Sequence, residues 1–200
     1  MQNTLVAPAS FTGLGLHSGA PVRMVVKPAP DNHGIWFRRT DLDQNEALIP
    51  AIWDAVVPSR LCTLVANAAG TSVSTIEHVM AALAGCAIHN ALIEIDGPEV
   101  PILDGSAVPF VAGFLAAGLK AQSAQVRTIR VLKPVEVRDG EAVARLEPSE
   151  NLEIDFSIDF AEAAIGRQEK VLNMANGAFV RELSDSRTFC RADDVTAMRA

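Results

Sequence analysis

Ser72-Val-Ser-Thr-Ile-Glu-His-Val-Met-Ala-Ala-Leu83 changes character within a few residues. It opens on β-branched and hydroxylated residues and passes into helix formers that run on to Gly85. The pattern predicts a helix over about 75–85, with Ser74 as N-cap and Gly85 as C-cap. Glu77 and His78 then stand in its first turn. That adjacency joins a carboxylate able to move protons to an imidazole able to hold a metal. Adjacent helical residues point roughly 100° apart, so at a helix start both can face one pocket.

From the residues alone, two plainer readings compete. Ser74-x-x-Glu77 is also a capping box, in which the glutamate reaches back to the N-cap amide. His78 by itself is more often a satisfied, half-buried histidine than a ligand. A zinc site takes at least three protein ligands, and neither HExxH nor HxxEH spacing occurs. His17, His33 and His89 fall in turn-like sequence and add no i,i+4 pair.

Outward from this helix the chain alternates strands and helices. Toward the N-terminus, Val22–Val26, Gly34–Arg38, Ala47–Val57 and Leu61–Ala66 read as strands. Gly13-x-Gly15 lacks the spacing of a Rossmann or P-loop motif and reads as a glycine-rich hairpin or bulge. Toward the C-terminus, Ala91–Asp96 is a strand ending at Gly97-Pro98, and Ala107–Leu119 is an apolar, buried helix with Ser106 as its N-cap. Asp104-Gly105 is turn chemistry. The polar stretch 120–126 is the expected domain boundary. It separates a first domain, 1–122, carrying Glu77 and His78, from 127–200, the N-terminal part of a second. There, Thr128–Val137, Ala142–Glu147 and Leu152–Phe160 read as antiparallel strands. Ala175–Leu183 and 192–200 read as helices, the latter running off the end as in a truncated domain.

Composition narrows the function classes. At 49% hydrophobic and 20% charged, the chain has a core-forming rather than a disordered composition. Its net charge of −7 argues against nucleic acid as a partner, though not against an anionic substrate at a locally basic site. No run has the length and polarity of a signal peptide or a membrane span. Cys62, Cys86 and Cys190, odd in number and unpatterned, suit a reducing cytosol, with small core hydrophobes as the expected role.

Eight blocks together carry a resemblance: Thr12-Gly-Leu-Gly-Leu-His-Ser-Gly19, Phe37-Arg-Arg-Thr-Asp-Leu42, Leu61-Cys-Thr63, Ser74 to Gly85, Pro98 to Ser106, Pro109-Phe110, Ile154 to Phe160 and Ser186-Arg-Thr-Phe189. In this order they resemble the UDP-3-O-acyl-N-acetylglucosamine deacetylases of lipid A synthesis. The resemblance implies a cytoplasmic, zinc-dependent amidase acting on a UDP-acyl-glucosamine, monomeric at full length. It implies an α+β fold of two layered sheet-and-helix domains packed helix-face to helix-face. His78 matches a zinc ligand, Glu77 the general base and Thr188 a group that polarises the substrate carbonyl. Leu61, Cys62, Thr63 and Phe189 match residues bordering the substrate. The remaining zinc ligands are expected beyond residue 200, so these 200 residues alone are expected to be inactive. The alternative is a non-catalytic module on the same scaffold that binds a nucleotide sugar, an acyl chain or a protein. Glu77 would then be a cap and His78 a packed residue.

Overall fold

Val22, Met24 and Val26 are buried while their neighbours Pro21, Arg23, Val25 and Lys27 are more open, the period-two signature of a strand with one face on a core. The computed structural model, which describes residues 1–43 and 46–191, builds an α+β fold around that strand. The chain divides into two compact units, Met1–Val126 with the described residues from Glu182 onward, and Arg127–Arg181.

The first unit carries, in order, β1 (Asn3–Leu5), β2 (Ala9–Leu14), β3 (Pro21–Pro28), β4 (Ile35–Arg39), β5 (Leu48–Pro50), a 3-10 turn (Trp53–Ala55), β6 (Val56–Val57), β7 (Leu64–Ala66), β8 (Ser72–Val73), α1 (Glu77–Gly85), β9 (Ala91–Ile95), α2 (Val108–Ala117) and β10 (Leu119–Ala121). Its main sheet has the order β2-β3-β9-β4-β5. Only β9 and β4 pair in parallel; the other neighbours are antiparallel.

Register lines up the buried face. Phe11 opposes Met24, which opposes Ile95, and Val26 opposes Ile93, which opposes Phe37 and through it Ile49. Met24, Val26, Phe37 and Ile49 are wholly buried. The opposite face is polar: Glu94 of β9 takes ion pairs from Lys27 of β3, at 2.6 Å, and from Arg38 of β4. Helix α2 lays Phe110 and Phe114 against Phe11 of β2, with ring centroids 5.0 and 5.8 Å apart.

The glycine-rich stretch ends β2 at Gly13 and Leu14, and residues 15–20 form the β2–β3 connection, closed by Gly19 N–H donating to Gly15 O. The expected strand over 47–57 is broken instead: β5 ends at Pro50, which has no N–H to give a ladder, and the 3-10 turn follows. The expected strand from Leu61 starts only at Leu64, because Leu61 takes a left-handed φ of 62°.

The second unit holds two antiparallel hairpins, β11 (Val135–Asp139) with β12 (Ala142–Leu146) and β13 (Glu153–Asp159) with β14 (Arg167–Asn173). A short α3 (Ala178–Glu182) follows. The strand expected from Thr128 begins only after Pro134, and Ile129 and Leu132 before it are largely exposed. The helix expected over 192–200 lies outside the described residues.

Candidate active site

Helix α1 starts at Glu77, two residues later than the sequence pattern predicts, and Ile76 is its N-cap. The capping box does not form. Ser74 Oγ donates to Pro98 O at 3.3 Å, and no side chain caps the helix. The cause is Thr75, which takes a left-handed φ of 58° and turns the chain between Ser74 and the helix. A β-branched residue in that region is a true outlier.

Freed from capping, the Glu77 carboxylate turns elsewhere: its Oε2 accepts the Thr63 N–H at 3.0 Å. Ile76 N–H donates back to Thr63 O at 3.4 Å. The first turn of α1 is thereby joined to the 61–63 segment. Glu77 and His78 are both half-buried, while Val79 and Leu83 bury the opposite side of the helix. Leu61 is 48% exposed in its strained turn, and Cys62 Sγ lies 3.2 Å from Ser59 Oγ. Of the three cysteines only Cys86 is buried, and burial pushes its thiol pKa up; Cys62 is half-buried and Cys190 exposed, against the expectation of three core residues.

The segment Pro98–Ser106 links α1 to Thr188. At its beginning Ser74 N–H donates to Pro98 O, and Val100 N–H donates to Ser74 O. At its end Asp104 Oδ1 accepts from the Ser106 hydroxyl and N–H, closing a turn with Gly105 at φ 81°. The Ser106 hydroxyl bond, with the Ser106 N–H and the charge of Arg187, outweighs slight burial and holds the Asp104 carboxyl below its usual range. Ser106 Oγ accepts the Val108 N–H at the start of α2, but the N-cap itself is Ala107, one residue later than the sequence predicts. Thr188 N–H donates to Gly105 O at 2.9 Å, and Arg187 Nε donates to Asp104 O. Thr188 and Phe189 are exposed.

Sequence reasoning passed over Glu99 as a site residue. Only 3% exposed, it accepts hydrogen bonds from His17 N–H and Thr75 Oγ1 at Oε1, and from Ser18 N–H at Oε2. The available signal was a lone charge in the apolar, proline-flanked run Pro98-Glu-Val-Pro101. Burial pushes its carboxyl pKa up, but the bonds from His17, Ser18 and Thr75 outweigh burial and hold it below the ordinary 4.5. A depressed folded pKa stabilises the fold fully above the unfolded value and loses that stabilisation as pH falls through the folded one. The stability gap between wild type and Glu99→Gln should therefore be constant near neutrality and narrow below pH 4.5, in urea unfolding across a pH series. A gap independent of pH would show that folding leaves the Glu99 pKa where it is in the unfolded chain.

Comparison with known proteins bears on this arrangement as a whole. The family model of the UDP-3-O-acyl N-acetylglycosamine deacetylases matches residues 2–200. The chain belongs to that family. UDP-3-O-acyl-N-acetylglucosamine deacetylase of Phenylobacterium zucineum is 48% identical over 199 residues, covering 100% of this chain and 68% of the relative. The enzymes of the same name from Shewanella frigidimarina and Anaeromyxobacter sp. are each 45% identical, with 65% and 64% of their lengths covered. The chain thus spans about two thirds of the length of these deacetylases, and all eight sequence blocks fall within the match.

The deacetylase family implies zinc, and the described residues do not by themselves make a site for it. Among them no group of three or more His, Cys, Asp and Glu side chains is disposed to hold a metal ion. His78 offers one imidazole where at least three protein ligands are needed. No helix among the described residues is long and apolar enough to cross a membrane.

Proposed function

We propose that the full-length protein removes the acetyl group from a UDP-3-O-(hydroxyacyl)-N-acetylglucosamine in lipid A synthesis, with Glu77 as general base. The observation that carries this reading is the Glu77 carboxylate, half-buried beside His78 and oriented through one oxygen by the Thr63 N–H. A carboxylate held in this way has further lone pairs with which to take a proton. Glu77 takes that proton from the water that attacks the acetamide carbonyl. The Thr188 hydroxyl donates to the carbonyl oxygen as negative charge develops there. Leu61, Cys62, Thr63 and Phe189 border the substrate, and Leu61 and Phe189, at 48% and 49% exposed, have surface to offer it.

His78 is assigned as one zinc ligand, with the other ligands supplied outside the described residues. The names of the relatives support the substrate assignment. The family resemblance supports a monomer working in the cytoplasm. The test is release of acetate from the UDP-acyl-glucosamine by the full-length protein, assayed with and without added zinc. Turnover is expected. Binding of the nucleotide sugar with no acetate release under either condition would overturn the reading in favour of a non-catalytic module.

A further inference from the structure

We propose that Glu99 is a positioning residue for the Glu77–His78 pair, acting through the hydroxyl of the left-handed Thr75. This inference rests on the reading of Glu77 as the base. A non-glycine residue in the left-handed region costs of order 1–3 kcal/mol and persists only where its surroundings over-determine it. Around Thr75 they do. Its side chain is 1% exposed, and its Oγ1 donates to Glu99 Oε1 at 3.0 Å. Ser74, one residue before, is bonded to Pro98 and Val100 on either side of Glu99. Ile76, one residue after, donates to Thr63 O. The backbone is thus held at each step from Ser74 to Ile76, and Glu77 follows.

Glu99 is held as firmly from its other side. The N–H groups of His17 and Ser18 converge on its two oxygens, both at 2.9 Å. A Cβ built on Gly15 would overlap Glu99 Oε2 and Ser18 Oγ, so this hairpin turn closes over the carboxylate only because residue 15 is glycine. His17 N–H, Ser18 N–H and Thr75 Oγ1 all donate to the carboxylate, which an acceptor-only group satisfies and a glutamine amide does not. The buried charge therefore ties the β2–β3 turn to the one backbone angle that sets where α1 begins. Val79 and Leu83 anchor the rest of the helix in the core, so an altered angle at Thr75 falls on the first turn, where Glu77 and His78 stand.

Two substitutions at Thr75 in the full-length protein separate positioning from bulk packing. Thr75→Val keeps the branched shape and removes the hydroxyl; Thr75→Ser keeps the hydroxyl and removes a methyl. Misplacing a catalytic group by about an ångström can cost up to about a hundredfold. For Thr75→Val we expect kcat to fall at least about tenfold with KM within about twofold, and the Thr63 amide, held by Glu77, to exchange faster with solvent. Thr75→Ser should restore wild-type kcat and exchange. Glu99→Gln should follow Thr75→Val, and the Thr75 pair decides alone should Glu99→Gln not fold. Unchanged kcat in Thr75→Val, or an equal loss in Thr75→Ser, would overturn the proposal. Absence of deacetylation by the wild type would instead remove the functional reading, and Thr63 exchange in the two Thr75 variants would then decide the positioning role by itself.

Discussion

Glu77→Gln in the full-length protein should lower deacetylation by about 10²–10⁴-fold, the span that a positioned general base contributes, while bound zinc stays at the wild-type level. The reasoning is geometric. Glutamine has the size of glutamate, and its carbonyl oxygen can still accept the Thr63 N–H that now reaches Glu77 Oε2 at 3.0 Å. The first turn of α1 should keep its place, so the substitution removes basicity and little else. His78→Ala makes the contrast, because loss of the imidazole proposed as a zinc ligand should lower bound zinc and activity together. Metal analysis beside steady-state kinetics reads both variants. Equal zinc loss in the two would undo the division of roles, and activity within tenfold of wild type in Glu77→Gln would remove the base assignment.

Much of the framework was legible in the sequence, for a definite reason. The β-forming run Val22–Val26 and the apolar run from Val108 to Ala117 are local composition signals, and such signals survive without knowledge of partners. The start of α1 was not legible. Ser74-x-x-Glu77 satisfies the spacing of a capping box, yet Ser74 turns to Pro98 and Glu77 to Thr63. What overrides the local rule is the left-handed Thr75, and its support comes from Glu99, 24 residues away, which is in turn held by His17, 82 residues away. No window of neighbouring residues contains those contacts. Only the end of the strand expected over Thr128–Val137 formed, as part of β11, since the β-formers before Pro134 found no partner strand. The site shows the same division. The pairing of carboxylate and imidazole is written in adjacent residues, whereas the roles proposed for Glu77, His78 and Thr188 rest on the ordered resemblance of eight separated blocks.

Phe110→Ala should destabilise the fold by about 3–5 kcal/mol, the range for removing a large aromatic ring from a packed core. Phe110 is wholly buried in α2, tilted at 58° against Phe11, which in turn meets Phe114 edge-on at 87°. These are favoured aromatic geometries, worth something beyond area alone. Little room exists for the cluster to collapse into a vacated ring. Gly113 already lets Phe11 approach so closely that an added Cβ would lie 2.6 Å from the Phe11 Cζ, which marks the neighbouring surface as filled. Phe189→Ala is the control: at 49% exposed its ring makes no comparable core, and a change within about 0.5 kcal/mol is expected. Urea unfolding of both variants measures the difference, and a loss under about 1 kcal/mol at Phe110 would mean that the ring cluster is not the core packing it is taken to be. Because α2 begins at the turn that carries Thr188 through Gly105, Phe110→Ala also tests how catalysis depends on the core. A purely structural ring leaves kcat near wild type at temperatures where the variant is still folded. Phe189→Ala, bordering the substrate in the proposed reading, should do the reverse, raising KM while the unfolding curve stays where it was.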